Sequence, residues 1–242
     1  VGDEGFQNKS KARMMELMSG GTTVLFVSHS IDQIEEMCDR VVWLENHKIK
    51  MLDVAFTGID HVGQKACKEK GVVICNAAGY SNETVSELAV GMAINLLRKI
   101  NAGDKAVREG KTLASAGLMG TELGTKTVGI IGTGRIGIMT AKLFKAFGCR
   151  VLGYSRTKKE EAVQAGIEYT ELDELLKISD IVSLHVPSTA ETKGFLSRER
   201  ISLMKQTAIL INCARGAVVD NEALAEALNS DKIAGAAIDV FD

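Results

Sequence analysis

The chain has 242 residues, 45% of them hydrophobic and 25% charged, which fits one to two domains of ordinary globular composition. Twenty-nine Lys and Arg against 31 Asp and Glu leave a net charge of −2, so no bulk positive charge supports a nucleic-acid binder. The 24 Gly against 1 Pro exclude a Pro-rich linker and point to turns and close backbone approaches.

Taken in order, residues 1–50 predict a helix over Asn8–Met18, a strand over Thr22–Val27, a helix over Ile31–Arg40 and a strand over Val41–Glu45. Gly20-Gly21 supplies the stop after the first helix. Residues 51–119 predict a strand over Leu52–Phe56, a helix over Gln64–Lys70, a strand over Gly71–Cys75 and an amphipathic helix over Asn82–Ile100. Residues 120–242 alternate regularly. Short apolar runs at Thr127–Ile131, Arg150–Tyr154, Ile181–Leu184, Ala208–Asn212 and Gly235–Ile238 read as strands. Helical patterns at Ile136–Phe147, Lys158–Ala165, Leu172–Ile178, Arg198–Met204 and Glu222–Leu228 lie between them. Apolar strands alternating with helices predict an α/β fold, a doubly wound parallel sheet covered on both faces.

The five Cys (38, 67, 75, 149 and 213) form no C-x-x-C pair, and the four His are scattered. Reduced, mostly buried thiols in a cytoplasmic protein are expected, with no metal site. The longest apolar run, Leu88–Leu97, contains Asn95 and is far short of the ~20 residues of a membrane span, so no membrane partner is expected. No signal peptide is visible. Val1 is no initiator, and the chain is expected to begin within a motif.

The strongest motif is G-T-G-R-I-G, Gly132–Gly137, which directly follows the strand Val128–Ile131 and opens the next helix. In that context Gly132 allows the tight turn, Gly134 the approach of a pyrophosphate, and Gly137 close packing of helix on strand. The helix start, with Arg135 and Ile136, offers free N–H groups to phosphate. The blander reading is a glycine turn that binds nothing. NAD-binding versions carry an acid ~20 residues on, at the end of the second strand. Here that place holds Tyr154-Ser155-Arg156-Thr157, with no acid. Ser155, Arg156 and Thr157 suit a ribose 2′-phosphate, so NAD or NADP is expected, leaning to NADP. The competing view makes Arg156 a solvated loop residue beside bound NAD.

From about residue 52 onward the chain resembles the NAD(P)-dependent D-2-hydroxyacid dehydrogenases, which include phosphoglycerate dehydrogenase, hydroxypyruvate/glyoxylate reductase and D-lactate dehydrogenase. The resemblance rests on V-A-F-T-G-I-D-H-V (54–62), Y-S-N-E-T-V-S-E-L (80–88), G-T-K-T-V-G-I-I-G-T-G-R-I-G (124–137), L-H-V-P-S-T-A-E-T (184–192), N-C-A-R-G-A-V-V-D (212–220) and G-A-A-I-D-V-F-D (235–242). It implies a Rossmann-type domain over 120–242 and an incomplete flavodoxin-like substrate domain over 51–119.

By resemblance, Arg215 is the catalytic arginine that grips the substrate carboxylate and polarises the reacting carbonyl. A guanidinium suits this, since it offers a fixed fork of donors. The alternative is a surface or capping arginine. Thr57 and Gly58 match the loop whose backbone amides hold the same carboxylate, and Tyr80 resembles a substrate-side tyrosine or else a core residue. His185, Val186, Pro187 and Thr192 match a loop bordering the cofactor. Cys213 and Ala214 adjoin it with Arg215, and Asp239 matches the acid receiving the nicotinamide carboxamide. The resemblance further implies a small 2-hydroxy or 2-keto acid substrate and a homodimer formed through an arm that includes Ala89–Ala116.

The family's catalytic Glu and His follow D-V-F, beyond Asp242, so impaired turnover is expected, and His185 belongs to the cofactor loop. General acid–base help is typically worth ~10²–10⁴-fold. A non-catalytic dinucleotide-binding module is the alternative.

Residues 1–50 resemble something else. V-G-D-E-G-F-Q (1–7), T-V-L-F-V-S-H-S (23–30) and C-D-R-V-V-W-L-E (38–45) resemble the C-terminal part of an ABC transporter ATPase of the polysaccharide-export type. Val1-Gly2-Asp3 matches its D-loop and His29 its switch histidine. No G-x-x-x-x-G-K-[ST] exists, so ATP hydrolysis is not expected. The expectation is a chimera joined near Lys48–Leu52.

Overall fold

A computed structural model of the chain describes residues 38, 40–45, 48–55, 57–59, 62–112 and 118–240. The expected elements Asn8–Met18 and Thr22–Val27, most of Ile31–Arg40, the D-loop-like start and His29 lie outside the described residues. The chain divides into two units, 1–80 and 81–242, each described by itself below.

In the first unit β1 (Arg40–Glu45) runs antiparallel to β2 (Lys48–Val54), with a register shift between Trp43 and Leu44. Helix α1 (Gln64–Glu69) then leads into β3 (Val73–Asn76), which lies parallel to β2. The second strand therefore starts four residues before the expected Leu52, and one continuous strand spans the expected join at Lys48–Leu52. Val54 is fully buried in this unit.

The second unit opens with α2 (Asn82–Arg98) and α3 (Ile100–Arg108). The predicted helix ran through Ile100. It breaks earlier because Lys99 takes a left-handed conformation at φ 55°, and the Asn101 amide donates to Asn95 Oδ1 at 3.0 Å across the break. Six parallel strands follow: β4 (Thr127–Ile131), β5 (Arg150–Tyr154), β6 (Glu168–Tyr169), β7 (Ile181–Leu184), β8 (Ile209–Asn212) and β9 (Gly235–Ile238). Their order is β6-β5-β4-β7-β8-β9. This is the doubly wound order, and it reverses between β4 and β7. The short β6 escaped the sequence pattern because its two residues are too few to show a period.

Side chains alternate across the sheet, as a strand's twofold period requires. Val128, Ile130, Ile181, Ile209 and Ile211 pack on one face, against Ala89, Val90 and Ala93 of α2 and against Ile138, Ala141 and Phe144 of α4 (Arg135–Ala146). Ile131, Leu152, Val182, Leu184 and Leu210 pack on the other face. There they meet α6 (Leu172–Ile178), α7 (Arg198–Leu203) and α8 (Asn221–Asn229), while α5 (Glu160–Gln164) connects β5 to β6. Each fully buried Leu, Ile or Phe contributes roughly 1.5–3 kcal/mol of burial energy.

Helix α2 thus covers the parallel sheet, whereas the sequence grouped it with residues 51–119. Within the expected dimer arm, Ala89, Val90 and Ala93 are buried against the sheet, while Gly91 is exposed.

At the N-terminal edge of the sheet, Asp180 binds three strands together. Its carboxylate accepts from the Thr127 amide and from Lys205 Nζ, both at 2.9 Å, and its carbonyl accepts from the Ile209 amide at 3.0 Å. Burial alone would raise its pKa, but the Lys205 and Thr127 hydrogen bonds outweigh that and hold it below the usual range. A depressed folded pKa gives stability that is complete above the unfolded value and is lost as pH falls through the folded one. Lys205→Met is expected to cost about 1 kcal/mol in urea unfolding at pH 7. The gap to the parent chain should narrow as pH drops below about 4.

Candidate functional site

The strand register places the predicted cofactor residues in one row. Ile131 pairs with Tyr154 and with Leu184, Leu184 with Asn212, and Asn212 with Ile238. The next residues, Gly132, Ser155, His185, Cys213 and Asp239, therefore leave the sheet side by side at its C-terminal edge. Backbone bonds hold the row: Gly132 N–H to Tyr154 O at 2.8 Å, His185 N–H to Ile131 O at 2.8 Å, and Asp239 N–H to Asn212 O at 3.0 Å.

The three glycines of the loop differ in what surrounds them. Gly132 sits at φ +100°, and a Cβ there would lie 2.6 Å from His185 O. A Cβ on Gly137 would lie 2.0 Å from Gly132 O, so only glycine lets α4 begin this close to β4. At Gly134, the extended N-cap of α4, a Cβ would meet nothing within 4 Å. That open side, next to the first-turn amides of Arg135, Ile136 and Gly137, fits an anionic pyrophosphate.

The loops around the glycines are firmly built. Thr133 is buried and shares a 2.7 Å hydrogen bond with the Tyr169 hydroxyl, which accepts from the Lys159 amide at 3.0 Å. After β7, the Thr192 hydroxyl donates to Pro187 O at 2.5 Å and accepts from the Thr189 amide at 2.8 Å. Thr192 is thus engaged in the turn of its own loop. Val186 packs beside Gly132 and against the core. His185 Nε2 lies 2.9 Å from Ser183 Oγ, and burial pushes its pKa down to about 4, so the ring is neutral at pH 7. Arg156 is exposed, and its Nη1 donates to Glu191 Oε2 at 2.5 Å.

Beyond β8, one buried side chain shapes the turn that carries Arg215. Asn212 Oδ1 accepts from the Ala214 amide, and its Nδ2 donates to Arg215 O, both at 3.0 Å. Arg215 is half-buried, and its Nη1 donates to Ala214 O at 2.7 Å. Cys213 packs with its sulfur 3.8 Å from Met92 Sδ, and burial together with the Asp239 charge pushes its thiol up to about 12.

The sequence reading overlooked Asn212 and Glu191. An Asn at a strand end followed by a short polar turn is a usable sign for the first. Glu191 carried no sign, because its partner lies 35 residues away. In the first unit, Thr57 and Gly58 lie in the loop after β2. Asn76 Nδ2 donates to Thr57 O at 2.7 Å, and Thr57 Oγ1 donates to Ala77 O at 3.3 Å. Tyr80 is exposed, which removes the reading of it as a core residue.

A family model described as D-isomer specific 2-hydroxyacid dehydrogenase, NAD binding domain, matches residues 90–242. The chain belongs to this family. It is 41% identical to a glyoxylate reductase of Thermofilum pendens over 199 residues, 80% of this chain and 59% of the relative. It is 40% identical to an aromatic 2-oxoacid reductase of Clostridium sporogenes over 232 residues, 93% of this chain and 69% of the relative. Among solved structures, D-lactate dehydrogenase from Aquifex aeolicus, complexed with NAD and lactic acid, superposes with TM-score 0.77 at 38% identity, covering 88% of this chain and 61% of that one. An acyclic imino acid reductase in complex with NADPH and D-Arg superposes with TM-score 0.75 at 30% identity, covering 89% and 66%. The chain thus spans about three-fifths of the first relative and of the lactate dehydrogenase. No described helix is long and apolar enough to cross a membrane.

The glycine geometry separates two variants. Gly134→Ala is expected to keep the parent melting temperature while weakening dinucleotide binding about tenfold or more. Gly137→Ala should lower the melting temperature itself, since its Cβ would collide with the Gly132 carbonyl. Asn212→Ala is expected to cost about 1–3 kcal/mol in urea unfolding, because it leaves a buried turn without its two hydrogen bonds.

Proposed function

We propose that the chain is the cofactor-binding part, with an adjoining portion of the substrate domain, of an NAD(P)-dependent oxidoreductase acting on a small D-2-hydroxy or 2-keto acid. The observation that carries this is the single row of loops at the C-terminal edge of the parallel sheet, with the open face of Gly134 at one place and Arg215 at another. When bound, a nicotinamide dinucleotide supplies the hydride. The chain's own residues have separate tasks. The amides of Arg135–Gly137 hold the pyrophosphate, and the Asp239 carboxylate accepts from the nicotinamide carboxamide. The Arg215 guanidinium grips the substrate carboxylate and draws charge from the reacting carbonyl. In the first unit, the backbone N–H groups of Thr57 and Gly58, together with Tyr80, are assigned to substrate binding. Ser155, Arg156 and Thr157 allow NADPH to be accepted beside NADH.

One observation favours the alternative, a dinucleotide-binding module without turnover. Burial holds the described site histidine, His185, at a pKa of about 4. At neutral pH it carries almost no proton to give a forming alkoxide. A proton donor must therefore come from elsewhere than His185. We also hold the family-like homodimer and a cytoplasmic setting as part of the proposal.

Oxidation of NADH and NADPH with hydroxypyruvate, glyoxylate and pyruvate tests the two readings. Turnover that Arg215→Ala lowers about a hundredfold supports the enzyme. Tight cofactor binding with no turnover supports the module.

A further inference from the structure

The Arg156–Glu191 pair has a position that the sequence does not reveal. Arg156 follows β5, Glu191 lies in the loop after β7, and β4 with its glycine loop runs between those two strands. The contact therefore bridges the end of β4. Both side chains are largely exposed, 76% and 71%, so the pair adds little to stability. Its geometry is nonetheless defined. Glu191 adjoins Thr192, whose hydroxyl is bonded within the Pro187–Thr192 turn, and Arg156 adjoins the segment whose Lys159 amide donates to Tyr169.

The end of β5 has no carboxylate of its own, yet Glu191 brings one there from across the sheet. Arg156, Lys158 and Lys159 make that end cationic, with the Lys158 ammonium 5.9 Å from the centroid of the Tyr169 ring. Glu191 neutralises one of these charges at the place where the sequence lacks an acid.

We infer that Glu191 is a cofactor-specificity residue, which sets the balance between dinucleotides with and without a ribose 2′-phosphate by occupying Arg156. The inference rests on the dinucleotide-binding reading above. A 2′-phosphate is largely dianionic at neutral pH, so it has to displace the Glu191 carboxylate from Arg156 and then stand near it. A 2′-hydroxyl does neither. In a water-like dielectric, a unit charge a few ångströms from such a phosphate changes binding by about tenfold.

The test is calorimetric and needs no turnover. Dissociation constants for adenosine 2′,5′-bisphosphate, 5′-AMP, NADPH and NADH are measured on the full 242-residue chain. The comparison takes in Glu191→Gln, Glu191→Asp and Arg156→Gln, each confirmed folded by its melting temperature. Glu191→Gln is expected to tighten the bisphosphate and NADPH about tenfold while leaving 5′-AMP and NADH within about twofold. Glu191→Asp should stay near the parent ratio, and the gain should shrink in 0.5 M salt, as for an exposed charge. Arg156→Gln should weaken the 2′-phosphorylated ligands alone. An unchanged ratio in Glu191→Gln, with both ligand classes still binding, overturns the role of Glu191 and leaves the dinucleotide reading intact. Failure of all four ligands to bind the parent chain overturns the dinucleotide reading itself, and this inference with it.

Discussion

The parallel register of β5, β4, β7, β8 and β9 is the constraint on which the site depends. In a parallel ladder one offset between neighbours fixes the whole set, so five loops separated by up to 107 positions along the chain emerge level. A one-residue slip in any strand would invert its side chains, sending Ile130 or Val182 to the wrong layer. The buried faces thereby police the register, and the register in turn aligns the loops. The core and the site are two results of a single hydrogen-bond pattern.

Within that frame, small polar devices decide what each loop presents. Asn212 spends its side chain on the turn that carries Arg215. Thr192 does the same for the loop after β7, and Tyr169 for the turn beside Thr133. None of these needs a ligand partner to be satisfied. The first-turn amides of α4 and the half-buried guanidinium of Arg215 lie on the loops that these devices shape.

Much of this was legible in the sequence, for identifiable reasons. Continuous apolar runs such as Ala208–Ile211 have only one comfortable place, the middle of a doubly covered sheet, and the glycine spacing of 132, 134 and 137 has few alternative explanations. What escaped detection depends on distance in sequence. Helix α2 reads as part of its upstream neighbours, because nothing local says that Ala89 and Ala93 pack under β8 and β9. Lys99 breaks that helix without Gly or Pro. Arg156 reads as an open phosphate ligand until Glu191 is seen beside it. Patterns within about ten residues were readable, whereas pairings formed by the tertiary fold were not.

The sulfur of Cys213 gives the row one further property. Its burial beside Met92 and the charge of Asp239 keep the thiol protonated, and it is the thiolate that attacks peroxides and alkylating agents readily. A pKa near 12 leaves about one molecule in 10⁵ as thiolate at neutral pH. A sheet edge fitted to hold a dinucleotide thus contains a sulfur held in its less reactive, protonated form. It fills space against Met92 of α2 as a neutral group.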